Sequence, residues 1–254
     1  IQQDEDGYMW YGTSDGLCRD DGYNIRVLRS DFNTPGVLTR NYINNIAIDN
    51  NGHIWFSTRK GIYILDKNRF TPHLLDIEEF AISPYAIMIH TQDDHIWIGG
   101  INAAYEFDSN CQLVKKHEVK TGIAMFYEDS RGNLFMAVYD DGLYCKPAGT
   151  MNFHMIAPDF VPTCMTENLR SDGYIVCQNG LFEMQPDRKL LPGMPVAPGF
   201  TLSQLPLPKD ENGQDVHFFI RVEQDDHLHY TWLLSYYYGL KIEIGRADQQ
   251  ECRD

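Results

Sequence analysis

The chain has 254 residues, with 43% hydrophobic, 13% aromatic and 22% charged side chains, which is enough apolar material for a sizeable core in one all-β domain. A formal net charge of −15 excludes nucleic acid as a partner, because phosphates demand a basic face, and disfavours an anionic membrane surface. No apolar run approaches the length of a membrane span, so direct membrane insertion of this segment is not expected.

One phrase recurs along the chain: a polar turn, a short apolar strand, a gap, then Gly and a second short strand. It opens at residues 4–17 with Asp4-Glu5-Asp6-Gly7-Tyr8-Met9-Trp10 and ends on Gly16-Leu17. It returns at 49–62, 92–97, 129–143, 170–181 and 224–240. The bulky strand residues Trp10, Trp55, Trp97, Phe135, Val176 and His229 serve as a ruler, spaced 45, 42, 38, 41 and 53 residues apart. A period near 40 residues fits paired helices or four-stranded propeller blades. The segments are short, β-branched and aromatic, and are bounded by Gly, Asn and Asp, which selects strands and hairpins. The expected fold is therefore all-β: a β-propeller of four-stranded antiparallel blades near 1–30, 42–75, 84–117, 122–156, 162–190 and 215–246. Six repeats are visible, giving six blades or a truncated seven-bladed ring. The Pro- and Gly-rich stretch 191–214 reads as an extended inter-blade loop.

Within each blade, Asn and Gly in the first turn tolerate positive φ. Gly16, Gly61, Gly142, Gly180 and Gly239 open the third strand, where a missing Cβ permits close backbone approach. Trp10, Trp55, Trp97 and Phe135 are assigned structural roles, wedged between neighbouring sheets. The acidic turns at Asp4-Glu5-Asp6 and Asp49-Asn50-Asn51 lack the calcium-loop spacing and read as hairpin turns. His227 and His229 share a strand face without a third ligand in view. Cys164 and Cys177 flank one hairpin; a disulfide and a pair of small buried hydrophobes are both open there. No C-x-x-C pair occurs, and neither a metal site nor a cofactor is expected.

Gln3 to Leu17, its continuation Arg19 to Val27, and Asn51 to Ile62 resemble the two-component regulator propeller repeat. That resemblance implies the periplasmic sensor region of a Bacteroidetes-type hybrid two-component histidine kinase, part of an inner-membrane protein. It implies an oligosaccharide ligand from complex glycans, neighbouring propeller and stalk domains in the same sensor, a homodimer in the full-length protein, and no catalysis by this segment. Binding residues are expected on turns at one end of the blades: Arg40, Asn41, Tyr42, Arg59, Tyr85, Asn102, Tyr139, Asp140, Tyr236 and Tyr237. Aromatic rings stack on sugar C–H faces, while Arg, Asp and Asn pair with hydroxyls. Two rival readings are a module making only protein contacts and a glycan-active lyase or hydrolase. The second lacks an Asp-box, a G-x-S-x-G elbow and an H-E-x-x-H motif.

Overall fold

The computed structural model describes residues 1–30, 38, 40–67, 69–75, 86–210, 212–225 and 230–244. It divides into two compact units, Ile1–Ile123 and Ala124–Asp254. All regular structure among the described residues is β.

The first unit holds three sheets. Blade one is β1 (Gln2–Gln3), β2 (Met9–Thr13), β3 (Gly16–Asp20) and β4 (Ile25–Leu28). Blade two is β5 (Ile43–Ile48), β6 (His53–Thr58), β7 (Ile62–Asp66) and β8 (Thr71–Leu74). Blade three is β9 (Met88–His90), β10 (Ile96–Gly99), β11 (Ala103–Phe107) and β12 (Leu113–Glu118). The second unit begins with blade four: β13 (Ile123–Glu128), β14 (Leu134–Val138), β15 (Gly142–Lys146) and β16 (His154–Pro158). Blade five is β17 (Cys164–Glu167), β18 (Tyr174–Cys177), β19 (Leu181–Pro186) and β20 (Phe200–Leu205). Blade six shows β21 (Phe219–Gln224), β22 (Tyr230–Ser235) and β23 (Gly239–Ile244). Every sheet is an antiparallel meander, strands pairing in chain order. Within the first unit, β5 lies against β1 and β2 of blade one and against β9 of blade three, so the leading strands of successive blades are neighbours.

One expectation needs correction. The 191–214 stretch is not only a connecting loop, because its residues Phe200–Leu205 form the outer strand of blade five, paired in register with Leu181–Pro186. Its Pro and Gly residues concentrate in the turn before that strand, and they masked the alternating Phe200-Thr201-Leu202 pattern that follows.

The turn aspartate organises each well-preserved blade. In blade one the Asp4 carboxylate accepts from the Tyr8 amide at 2.9 Å and, through Oδ2, from the Trp10 indole Nε1 at 2.8 Å. Asp49 repeats this with the His53 amide at 2.8 Å and Trp55 Nε1 at 2.9 Å. The spacing D-x-x-G-x-x-W thus folds the turn and delivers a partner to an indole that is fully buried. A buried N–H without a partner is costly, and hydrogen bonds to a charged acceptor contribute more than neutral ones. Blade four has Phe135 at the Trp position, and Asp129 Oδ2 instead accepts from Asn133 Nδ2 at 2.8 Å and from the Tyr174 hydroxyl of blade five at 2.7 Å. In blade three Thr91 takes the aspartate's place, and Trp97 packs on the His117 ring at 5.0 Å.

The large strand residues lean on the next blade. Trp10 stacks on Phe70 at 6.1 Å, Trp55 on Phe107 at 5.5 Å, and Phe135 meets Tyr174 edge-on at 4.9 Å. Gly142 has φ +147°, and a Cβ there would stand 2.4 Å from the Ala157 carbonyl oxygen, so only glycine fits the start of that third strand. Cys164 and Cys177 are Cα partners across the β17–β18 ladder, buried as free thiols. His227 and His229 lie outside the described residues.

Two outcomes follow. Asp49→Ala is expected to lose about 3 kcal/mol in a denaturant titration, because it strands the Trp55 N–H and opens the turn. The same change in a Trp55→Phe background should cost less, the difference being the carboxylate–indole coupling. The second outcome concerns alkaline pH. Burial lifts the hydroxyls of Tyr127 and Tyr144 to about 12, and burial with the nearby Asp129 carboxylate raises that of Tyr174. Their neutral forms are favoured by folding, so stability holds up to the unfolded value of about 10 and falls as pH rises toward 12, where the unfolded chain ionises first. Denaturation midpoints measured from about pH 9 to pH 11 should show this fall, and Tyr174→Phe should make it shallower.

Candidate functional site

Four of the sequence-selected residues meet in the first unit. Arg40, Asn41 and Tyr42 precede β5, and Arg59 lies in the β6–β7 turn. Together with Ser14, from the β2–β3 turn, and Lys60 they line a cavity of about 510 Å³. That is within the usual range for a small-ligand site. The repeat explains the convergence. The turn between second and third strands returns at the same end of each blade, so blades one and two place theirs beside the segment leading into β5.

The supporting contacts are specific. Thr58 Oγ1 donates to the Gly61 carbonyl at 3.2 Å and accepts from the Lys60 amide at 3.0 Å, which fixes the Arg59-Lys60 tip. Thr13 Oγ1 does the same for blade one, bonding the Gly16 carbonyl at 2.8 Å and the Asp15 amide at 3.1 Å. Asn41 is held on both sides of its amide: Oδ1 accepts from Ser30 N at 2.7 Å, and Nδ2 donates to Asp15 Oδ1 at 3.2 Å. Asn41 is thus a brace for the rim. The Asp15 carboxylate is further engaged by Arg29 at 2.7 Å. The Arg59 guanidinium sits 5.4 Å from the centre of the Tyr42 ring. Arg40, Arg59 and Lys60 are exposed and form no ion pair among the described residues. On a strongly acidic chain, three such cations around one cavity form a local basic spot.

A second cavity, of about 320 Å³, lies in the other unit and is lined by Thr163, Asn179, Phe218, Phe219, Ile220, Tyr236 and Tyr237. Tyr236 and Tyr237 are about 70% exposed, their rings 5.0 Å apart, and Tyr237 meets Phe218 at 5.6 Å. Phe218 has φ +60°, and its carbonyl accepts from the Tyr236 amide at 3.0 Å. Sequence reasoning overlooked Phe218. In His217-Phe218-Phe219-Ile220 it reads as core, but Phe218 stands just before β21 with positive φ and is exposed, while Phe219, the first strand residue, is buried. Ser14 and Lys60 were visible as turn residues but were not selected.

The remaining selections stand apart from both cavities. Asn102 is exposed in the β10–β11 turn, its carbonyl accepting from Val119 N at 2.9 Å. Tyr139 and Asp140 are exposed in the β14–β15 turn, with Asp140 at φ +52°. The neighbouring Asp141 is buried and accepts from the Tyr144 hydroxyl at 2.5 Å. Tyr85 lies outside the described residues.

Residues 38–60, which contain Arg40, Asn41, Tyr42 and Arg59, match the model of the family described as "Two component regulator propeller". That one segment is similar to a two-component regulator propeller repeat. No curated protein sequence matches it. Among solved structures it is similar to the extracellular domain of BT3049 from B. thetaiotaomicron, assigned to a hybrid two-component system, with 14% identity and a TM-score of 0.63 over 95% of this chain and 39% of that one. It is similar to the corresponding domain of BT4673, also from B. thetaiotaomicron, with 14% identity and a TM-score of 0.60 over 95% and 37%. It is also similar to a virginiamycin B lyase from Staphylococcus aureus, with 10% identity and a TM-score of 0.58 over 98% and 84%. The chain therefore spans about two fifths of the length of those two extracellular domains. At these identities the likenesses show the fold, and the six sheets are β-propeller blades. No helix among the described residues is long and apolar enough to cross a membrane.

Proposed function

We propose that this propeller is the ligand-sensing part of a periplasmic sensor region, non-catalytic in itself, that recognises an oligosaccharide and reports to a cytoplasmic histidine kinase. The observation that carries the reading is the first-unit cavity. It joins an aromatic ring, a braced amide and three cations without ion-pair partners among the described residues, all on turns held by rigid sheets. Rigid scaffolds with variable turns are a common arrangement for recognition. Tyr42 offers a face for a pyranose, and Arg59 and Arg40 offer forked donors that match a carboxylate or sulfate. The ligand chemistry favoured is thus a glycan fragment bearing acidic groups. In a sensor, such a ligand acts only through its difference in affinity between two arrangements of the receptor. The greater length of the two extracellular domains of similar fold supports placing this chain within a larger extracellular region.

The aromatic shelf of the second unit favours a second reading for that surface. Phe218, Ile220, Tyr236, Tyr237 and Leu240 are all at least half exposed and largely apolar, a composition suited to contact with another protein domain.

Calorimetric titration with acidic oligosaccharides and their neutral counterparts separates these readings. The acidic members should bind at least about tenfold more tightly, with an advantage that shrinks as salt rises. Arg59→Ala and Tyr42→Ala should each weaken binding without unfolding the chain. If no member of a broad glycan panel binds, the sugar-sensing reading fails and the protein-contact reading gains.

A further inference from the structure

Away from both cavities, the turn aspartate of blade two has neighbours that its counterparts lack. Asp49 Oδ2 lies 2.9 Å from His53 Nδ1, and Cys111 Sγ lies 3.8 Å from the same nitrogen. The three ligand atoms all fall within 4.8 Å of one another. They come from two blades. Asp49 and His53 flank the β5–β6 turn, and Cys111 ends the β11–β12 turn. The two turns are tied directly, since Asn51 Nδ2 donates to the Ser109 carbonyl at 2.6 Å, and the Asn50 amide donates to Asp94 Oδ1 in the β9–β10 turn of blade three at 3.2 Å. We propose that Asp49, His53 and Cys111 form a Zn²⁺ site that staples blade two to blade three.

The donor set selects the metal. One thiolate, one imidazole nitrogen and one carboxylate oxygen suit zinc, whereas calcium and magnesium take oxygen ligands. In a tetrahedral zinc site, ligand lengths of about 2.0–2.3 Å put neighbouring donor atoms roughly 3.3–3.6 Å apart. The observed 2.9 and 3.8 Å bracket that range and the third edge is no longer than 4.8 Å, so closing around an ion needs side-chain shifts on the order of 1 Å. Three protein ligands leave the fourth position to water.

The carboxylate is already oriented. Oδ1 accepts from the His53 amide at 2.8 Å and Oδ2 from Trp55 Nε1 at 2.9 Å, so a lone pair on Oδ2 remains for the ion. Cys111 is aimed by its own turn, where Asp108 Oδ1 accepts from the amides of Asn110 and Gln112, both at 2.9 Å. On binding, Cys111 gives its proton to solvent, and His53 would ligate through Nδ1 as the tautomer that carries its proton on Nε2.

The junction of blades one and two is the internal comparison. There the corresponding residues are Asp4, Tyr8 and Phe70, and Phe70 stacks on Trp10. That set is built for packing and has one metal-binding group. At the next junction the same backbone frame holds three.

The test uses the whole chain, freed of metal and titrated with Zn²⁺ alone against a chromophoric chelator. One equivalent should bind and raise the thermal midpoint. Cys111→Ser and His53→Ala should each weaken binding by more than about 100-fold, the upper end of what losing even an outer partner costs. Co²⁺ in place of Zn²⁺ should give a thiolate charge-transfer band that Cys111→Ser abolishes. Asp49 is left intact because it also holds Trp55. Absence of stoichiometric binding, or wild-type affinity in both folded variants, would overturn the proposal.

Discussion

A carboxylate at the mouth of a hairpin, bonded to a buried indole six residues on, is the contact on which each well-preserved blade depends. It solves two problems with one side chain. The turn after the first strand leaves backbone amides pointing inward, and Asp4 and Asp49 accept them. The Trp of the second strand must be buried to pack on the next sheet, and the other carboxylate oxygen accepts its N–H. The charge itself is tolerated inside because its acceptor sites are filled by fixed donors. Local turn geometry and inter-blade packing are therefore coupled: loosening the turn also removes the partner that makes the Trp burial favourable.

That coupling explains how the repeat decays without losing the fold. Replacing Trp with Phe135 removes the indole donor, which alone would leave Asp129 under-satisfied. The gap is filled by Asn133 from the same blade and Tyr174 from the next, so the carboxylate stays fully engaged. At Thr91 the acid itself is gone, and its hydroxyl bonds the Asp93 carboxylate at 2.6 Å and the His95 carbonyl at 3.0 Å. Drift in one partner is answered by a neighbour with matching chemistry. Blade two keeps the carboxylate–indole contact, and its turn together with that of blade three brings imidazole and thiol near the same carboxylate.

Much of this was legible in the chain. The D-x-x-G-x-x-W spacing fixes strand, turn and buried ring, because each needs a residue type few others supply: αL glycine, acceptor acid, large indole. The grouping of Arg40, Tyr42 and Arg59 was also legible, since the blade period places those turns at one end. What resisted reading depends on single-residue register. Phe218 and Phe219 are adjacent and chemically alike, and the residue at which β21 begins, after the positive φ of Phe218, decides which faces water. The strand Phe200–Leu205 sits behind a Pro-Gly run whose local signal says turn. Asp49, His53 and Cys111 are distant in sequence, and only the packing of one blade on the next brings the thiol to the imidazole.

The charge balance of the molecule bears on the acidic ligand proposed above in a way that the net figure conceals. A chain of net charge −15 would seem to repel an acidic sugar. Screening decides otherwise: at physiological ionic strength the Debye length is about 8 Å, so exposed acids beyond that distance act weakly on a bound anion. Inside the cavity the relevant charges are Arg40, Arg59 and Lys60, while the nearest acid at the rim, Asp15, is taken up by Arg29 and Asn41. A local positive spot in a negative field admits an anion that makes several close contacts at once and disfavours a diffuse polyanion, whose remaining charges extend over the acidic surface. On the sensing role proposed above, the selectivity expected of the cavity is therefore for short acidic fragments over long polymers.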